Sequence, residues 1–253
     1  MLPHGSANVR HRRRELLAGV SGLVFSLLTG EAHARTIQGA LPWSPGGAVP
    51  PANTQSGPWL FFTPEEASAV EALVDRLIPP DEKVPGGKDA GCAVFIDRQL
   101  AGPFGQASGL YMQPPFAAGM PQQGDQSPFT PAQLYRHALA ALDRVTREKF
   151  AGKGFAEIPA SGQDALIAGM ESTTVQLGTV HSKAFFEMLL QNTKEGFFAD
   201  PVYGGNRDMA GWKMIGFPGA RYDYRDWIDH HNQRYPLPPV GIMGRPAWNT
   251  ASN

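Results

Sequence analysis

Two tetrapeptides spell the same helix start: Thr63-Pro64-Glu65-Glu66 and Thr130-Pro131-Ala132-Gln133. In each, threonine precedes a proline at the first helical position and is followed three residues later by Glu or Gln, the set that forms a reciprocal capping box. After the first, Ala67, Val70, Leu73, Val74, Leu77 and Ile78 recur at helical spacing until Pro79-Pro80 stops the run. After the second, Leu134, Ala138, Leu142, Val145 and Phe150 carry a stripe as far as Gly152. A further helix is predicted from Asp89, after the Pro85-Gly86-Gly87 turn, with Cys92, Phe95, Ile96 and Leu100 on its apolar stripe and Asp97 and Arg98 toward solvent or a partner. Ser161 and Asp164 suggest another start, running through Leu166, Ile167 and Met170. His181–Phe198 reads as a helix whose apolar face is Phe185, Met188, Leu189 and Phe197. No stretch alternates apolar and polar residues long enough to make a strand. The expected fold is mainly α, a single irregular helical domain with long Gly/Pro-rich loops and an extended arm.

The loops follow from 29 glycines and 23 prolines in 253 residues, about 21% where about 12% is usual. They gather between positions 102 and 129, a length at which a connection without secondary structure is usually functional or disordered. Phe104, Tyr111 and Phe116 in that stretch favour an arm laid over a surface.

At the N-terminus, Arg13 and Arg14 precede Leu16 and Leu17 and a short apolar run, and Ala32-His33-Ala34 follows as a small-x-small cleavage site. This is the pattern of a twin-arginine export leader, and the run to Thr29 is too short to span a bilayer, which takes about 20 residues. The organisation read from the chain is a signal peptide over 1–34, a linker or tail over 35–60 anchored by Trp43 and Trp59, a helical domain over 61–237 and a tail over 238–253. The expected compartment is the periplasm. The twin-arginine route carries folded cargo, typically loaded with a cofactor, so the next question is which cofactor is involved.

The residues name none for this chain. Cys92 is the single cysteine, which excludes an internal disulfide, a CxxCH haem attachment and a cysteine-ligated iron–sulfur cluster; it is expected to be a buried small apolar residue. No GxGxxG opens a helix after a strand, Gly86-Gly87-Lys88 lacks the spacing of a phosphate loop, and no GxSxG elbow occurs. The formal net charge is −1, and removal of residues 1–34 takes away more arginine than acid. Nothing there implies affinity for nucleic acid or an anionic membrane.

The densest chemistry lies between Asp200 and Ile228. Gly204-Gly205-Asn206 is expected to make a tight turn. Around it stand Tyr203, Trp212, Phe217, Tyr222, Tyr224 and Trp227, interleaved with Arg207, Arg221 and Arg225. Aromatics and arginine are enriched at protein–protein hot spots, so Tyr203, Asn206, Arg207, Trp212, Phe217, Arg221, Tyr222 and Trp227 are candidates for a partner interface. The same residues could instead fill the core of a loop-rich protein, or form a sugar site built on Tyr203, Arg207, Asp208 and Trp212. Asp200, Asp208, Asp223 and Asp226 could supply paired carboxylates, although acids at such offsets also cap turns and helices. His230 and His231, near Asp226 and Asp229, lack the pattern and the distant third ligand of a metal site.

Several separated motifs resemble the gluconate 2-dehydrogenase subunit 3 family: Phe62-Thr63-Pro64-Glu65-Glu66 leading into Val74-Asp75-Arg76-Leu77-Ile78-Pro79, then Asp89-Ala90-Gly91-Cys92 with Phe95-Ile96-Asp97, then Tyr203-Gly204-Gly205-Asn206 with Gly211-Trp212 and Gly216-Phe217-Pro218-Gly219. The resemblance covers about Trp59 to Leu237. It implies a small subunit, without catalytic residues of its own, of a periplasmic dehydrogenase complex held at the inner membrane. A large subunit carrying FAD would oxidise gluconate or a related sugar or polyol, and a multihaem cytochrome c subunit would pass the electrons on. The small subunit would bring the signal read by the twin-arginine translocase and escort the large one. The rival expectation is a stand-alone periplasmic carbohydrate-binding protein or enzyme.

Overall fold

The computed structural model describes residues 58–117, 119, 120, 122, 127–221 and 224–242, without the side chain of Asp226. The leader residues Arg13, Arg14, Leu16, Leu17, Ala32 and Ala34 therefore lie outside the described residues, as do Trp43 and Tyr222. Among the described residues there are six α-helices: α1 Pro64–Leu77, α2 Cys92–Ala101, α3 Pro131–Lys149, α4 Ala160–Glu171, α5 Ser182–Phe198 and α6 Ala210–Ile215. No strand occurs among them, only isolated bridges joining Leu177 to Val180 and Gly219 to Val240. The fold is mainly helical, as the absence of two-residue periodicity requires.

Both capping boxes form. The Thr63 hydroxyl accepts the Glu66 N–H while the Glu66 carboxylate accepts the Thr63 N–H, and Thr130 and Gln133 repeat the exchange at α3. Two helix starts differ from expectation. Residues 87–91 form turns, and Gly91 at φ 82 holds a left-handed conformation that a helix cannot run through; α2 therefore begins at Cys92, three residues after Asp89. α4 follows Pro159 directly. Asp164 caps nothing: it receives a two-pronged pair from Arg76 of α1, at 2.7 Å on each oxygen. That pairing holds the Asp164 carboxyl below its usual range, so its stabilising effect is present above the ordinary carboxylate pKa and fades as pH falls. At an exposed site screened by solvent the effect is small.

α5 is the hub. It packs against α1, α2, α3, α4 and α6, with Phe185, Leu189 and Phe197 all but sealed from solvent. A helix touched on so many sides must also bury polar groups, and Asn192 and Thr193 find partners. Thr193 Oγ1 donates to the Leu189 carbonyl, and Asn192 donates to the Tyr135 hydroxyl at 3.0 Å. Tyr135 is itself fully buried, edge-on to Phe185, and desolvation pushes its phenol pKa up. From Gly102 the chain turns back on itself: Gly105 donates to the Gln99 carbonyl and accepts from Ala132, which ties the end of α2 to the start of α3. Beyond it Leu110, Tyr111, Phe116 and Met120 are exposed.

Asp97 corrects the expectation that it faces solvent. It is completely buried on α2. Its Oδ1 accepts the N–H groups of Phe61 and Phe62, both at 2.9 Å, and its Oδ2 accepts the Leu60 N–H at 2.8 Å and the Arg98 guanidinium. Arg98 is only slightly exposed and donates to the Pro58 carbonyl as well. The carboxylate thus gathers the three N–H groups of the extended entry into α1. Arg136 of α3 closes the same corner, lying 4.0 Å over the Phe61 ring and donating to the Phe61 carbonyl and to Glu66.

Cys92 is buried, and desolvation raises its thiol pKa to about 12. Because the thiolate is the nucleophile, the folded protein at pH 8 should resist iodoacetamide, whereas protein in urea should be labelled stoichiometrically. Rapid stoichiometric labelling of the native protein, read by mass spectrometry, would show that Cys92 is accessible.

Candidate functional site

Past α5 the chain builds a small platform on the C-terminal end of that helix. Asp200 caps the 3₁₀ turn Pro201–Tyr203 by accepting the Val202 N–H. Gly204 then takes φ 97, a conformation natural only to glycine. Gly205 is needed for a different reason. A Cβ there would stand 2.1 Å from the Gly196 carbonyl oxygen, because the two backbones touch. Gly196 in turn lies against Phe95 of α2. The expected tight turn is therefore also a close approach of backbone to helix.

Asn206 locks the turn. It is fully buried, its amide donating to the Ala199 carbonyl at 2.8 Å and its carbonyl accepting the Gly211 N–H at 2.9 Å. Asn206, Asp208 and Met209 all have positive φ, at 45, 56 and 56 degrees. Such conformations in non-glycine residues persist only where the surroundings impose them, and they gather at functional sites. Arg207 is anchored through its N–H to the Ala90 carbonyl, with its guanidinium over Gly91.

On α6, Trp212 turns inward and donates its indole N–H to the Phe198 carbonyl at 2.7 Å. Phe217 packs edge-on against that indole, with ring centres 5.1 Å apart. With the polar groups satisfied inside, the apolar side chains point out: Phe198, Tyr203, Met214, Ile215 and Phe217 are all exposed. A hollow of about 440 Å³ opens beside Phe198 and Tyr203, with Phe95 and Gln99 also among its walls. The exposure of these apolar side chains makes this face the candidate interaction surface.

Downstream, Arg221 lies 5.1 Å from the centre of the Tyr235 ring and donates to the Pro238 carbonyl. Trp227 stacks on His230 at 4.3 Å and meets Tyr235 edge-on. The chain then returns to the platform. Val240 bridges to Gly219, and Ile242 donates to Asp200.

The residues singled out in the sequence thus divide. Asn206 and Trp212 are buried and shape the surface from beneath. Tyr203, Arg207 and Phe217 are exposed, and Arg221 and Trp227 are half-buried. Of the candidate carboxylates, Asp200 is occupied as a cap and tail anchor, Asp208 is exposed, and Asp223 and the Asp226 side chain fall outside the described residues. Among the described residues no group of three His, Cys, Asp or Glu side chains could hold a metal ion, and no helix is long and apolar enough to cross a membrane. Sequence reasoning missed Asp97 and Arg136. The signal for Asp97 was its register, four residues after Ala93 and three before Leu100, which places it on the buried stripe.

No curated protein and no solved structure matches the chain. The sequence model described as Gluconate 2-dehydrogenase subunit 3 matches residues 64–219, a span that begins with α1, takes in all six helices and ends at the glycine that bridges to Val240. More than half of the 253 residues fall within it, and the chain belongs to the gluconate 2-dehydrogenase subunit 3 family.

Proposed function

We propose that this chain is the non-catalytic small subunit of a periplasmic, membrane-held dehydrogenase that oxidises gluconate or a related sugar. In this reading the chain escorts the FAD-containing large subunit through twin-arginine export and stabilises it afterwards. FAD and haem c belong to the partner subunits, the second of them a multihaem cytochrome c. The observation that carries the reading is a twin-arginine pair, Arg13-Arg14, at the head of a chain whose family is a dehydrogenase subunit. A leader for folded cargo on a chain with one buried cysteine and no nucleotide-binding motif makes sense if the cargo includes a loaded partner without a leader of its own. The outward aromatic and aliphatic side chains on the α5–α6 platform supply a surface for it. The stand-alone sugar-site reading is weakened because the Trp212 indole is packed and hydrogen-bonded inside.

The test is deletion of this chain from cells that make the whole complex. The expected outcome is loss of dehydrogenase activity with an artificial acceptor from the membrane fraction, with the large subunit left in the cytoplasm or short of flavin. Unchanged export and flavin content in the deletion strain would overturn the escort role.

A further inference from the structure

A cleft of about 630 Å³ lies between α6 and the chain from Tyr224 to Tyr235. One wall is aliphatic, Met214 and Ile215; the other is aromatic, Tyr224, Trp227 and Tyr235. Lys213 and Arg234 stand on its rim, and Arg221 lies behind it against the Tyr235 ring. Among the described residues none of these three cations has an ion-pair partner. None of the described residues lining the cleft is an aspartate or glutamate. The Nε atom of Arg221 is buried without a hydrogen-bond partner among the described residues.

We propose that this cleft docks an acidic segment of the large subunit, with an aliphatic or aromatic side chain seated between Ile215 and Trp227 and its carboxylates against Lys213 and Arg234. The inference rests on the subunit reading above and names the chemistry of the contact. An apolar centre under a charged rim is the anatomy of a protein–protein hot spot, and rim cations without an ion-pair partner among the described residues select an acidic partner and speed its approach. A lipid surface fits less well. A flat bilayer meets convex faces, whereas these cations flank a concave cleft, and the chain as a whole carries a formal charge of −1.

The experiment is recovery of the complex through a tag on this chain, comparing the native sequence with a K213E/R234E double variant and a K213R/R234K charge-conserving control. The double variant should recover about tenfold less flavin-containing partner, with recovery by the native chain falling as salt rises. The control should recover near-native amounts, and thermal unfolding of the isolated chains should be unchanged. Native recovery of partner by K213E/R234E overturns the assignment of the cleft while leaving the subunit reading in place. Failure of the native chain to bring down any flavoprotein removes both. Flotation of the native mature chain with phosphatidylglycerol vesicles, lost in K213E/R234E, would also overturn it, by assigning the cations to lipid.

Discussion

Replacing Asp97 with alanine should destabilise the folded domain by about 3–5 kcal/mol, the range seen when one partner of a buried ion pair is removed. For a domain of this size that is a drop in Tm on the order of 10 °C. The substitution strands the N–H groups of Leu60, Phe61 and Phe62 and takes the carboxylate from Arg98, and buried donors without acceptors are what make such losses large. Asp97→Asn keeps one acceptor oxygen but turns the other position into a donor facing donors, so it should recover only part of the loss. Urea unfolding gives the magnitude, and amide exchange at residues 60–62 gives the location. If Asp97→Ala unfolds within about 1 kcal/mol of the native chain and those amides stay protected, the carboxylate is not what holds the entry to α1.

Gly205→Ala should have a comparable effect by another route. The new Cβ would sit 2.1 Å from the oxygen and 2.8 Å from the carbon of the Gly196 carbonyl, and backbone pressed on backbone cannot be relieved by a rotamer change. The platform must rise from α5, which breaks both hydrogen bonds of Asn206 and the Trp212 bond to the Phe198 carbonyl. A cost of at least about 3 kcal/mol is expected, in the upper tail for single substitutions, together with a red shift of Trp212 emission assigned against a Trp212→Phe variant. Gly216→Ala is the internal comparison. Gly216 sits at φ 73 with open space where its Cβ would be, so it carries only the left-handed backbone penalty of about 1–2 kcal/mol. Equal mild effects at the two glycines would show that the close approach of Gly205 to α5 is not as described.

Much of the fold is legible because it is local. Thr63-Pro64-Glu65-Glu66 and Thr130-Pro131-Ala132-Gln133 carry within four residues every group the helix starts require, and the stripes behind them match the buried faces of α1 and α3. The start of α2 was less legible, since nothing in Asp89-Ala90-Gly91 announces that Gly91 will adopt a left-handed conformation. Asp164 misled for a related reason. Its spacing after Ser161 suits a cap, but its partner is Arg76, 88 positions away.

The candidate site shows the same division. Its location was legible from the density of aromatics, arginines and glycines after Asp200. Its inside and outside were not, because Trp212 and Phe217 read alike in sequence while one is 6% exposed and the other 44%. The cleft proposed for the large subunit draws on Tyr235 and Arg234, beyond the Asp200–Ile228 segment singled out in the sequence, and only the return of the chain places them opposite α6.

By itself the sequence determined the class of fold, the helix starts at Thr63 and Thr130 and the family, all properties written in contiguous residues or in fixed spacings. Tertiary structure alone decided that Asp97 faces inward, that Gly205 must lie on Gly196 and that Lys213 and Arg234 share a cleft. The physical reason is that periodicity reports which side of a helix is apolar, whereas the N–H groups that make a buried carboxylate stable arrive from a segment about 35 residues earlier, and no local pattern records their approach.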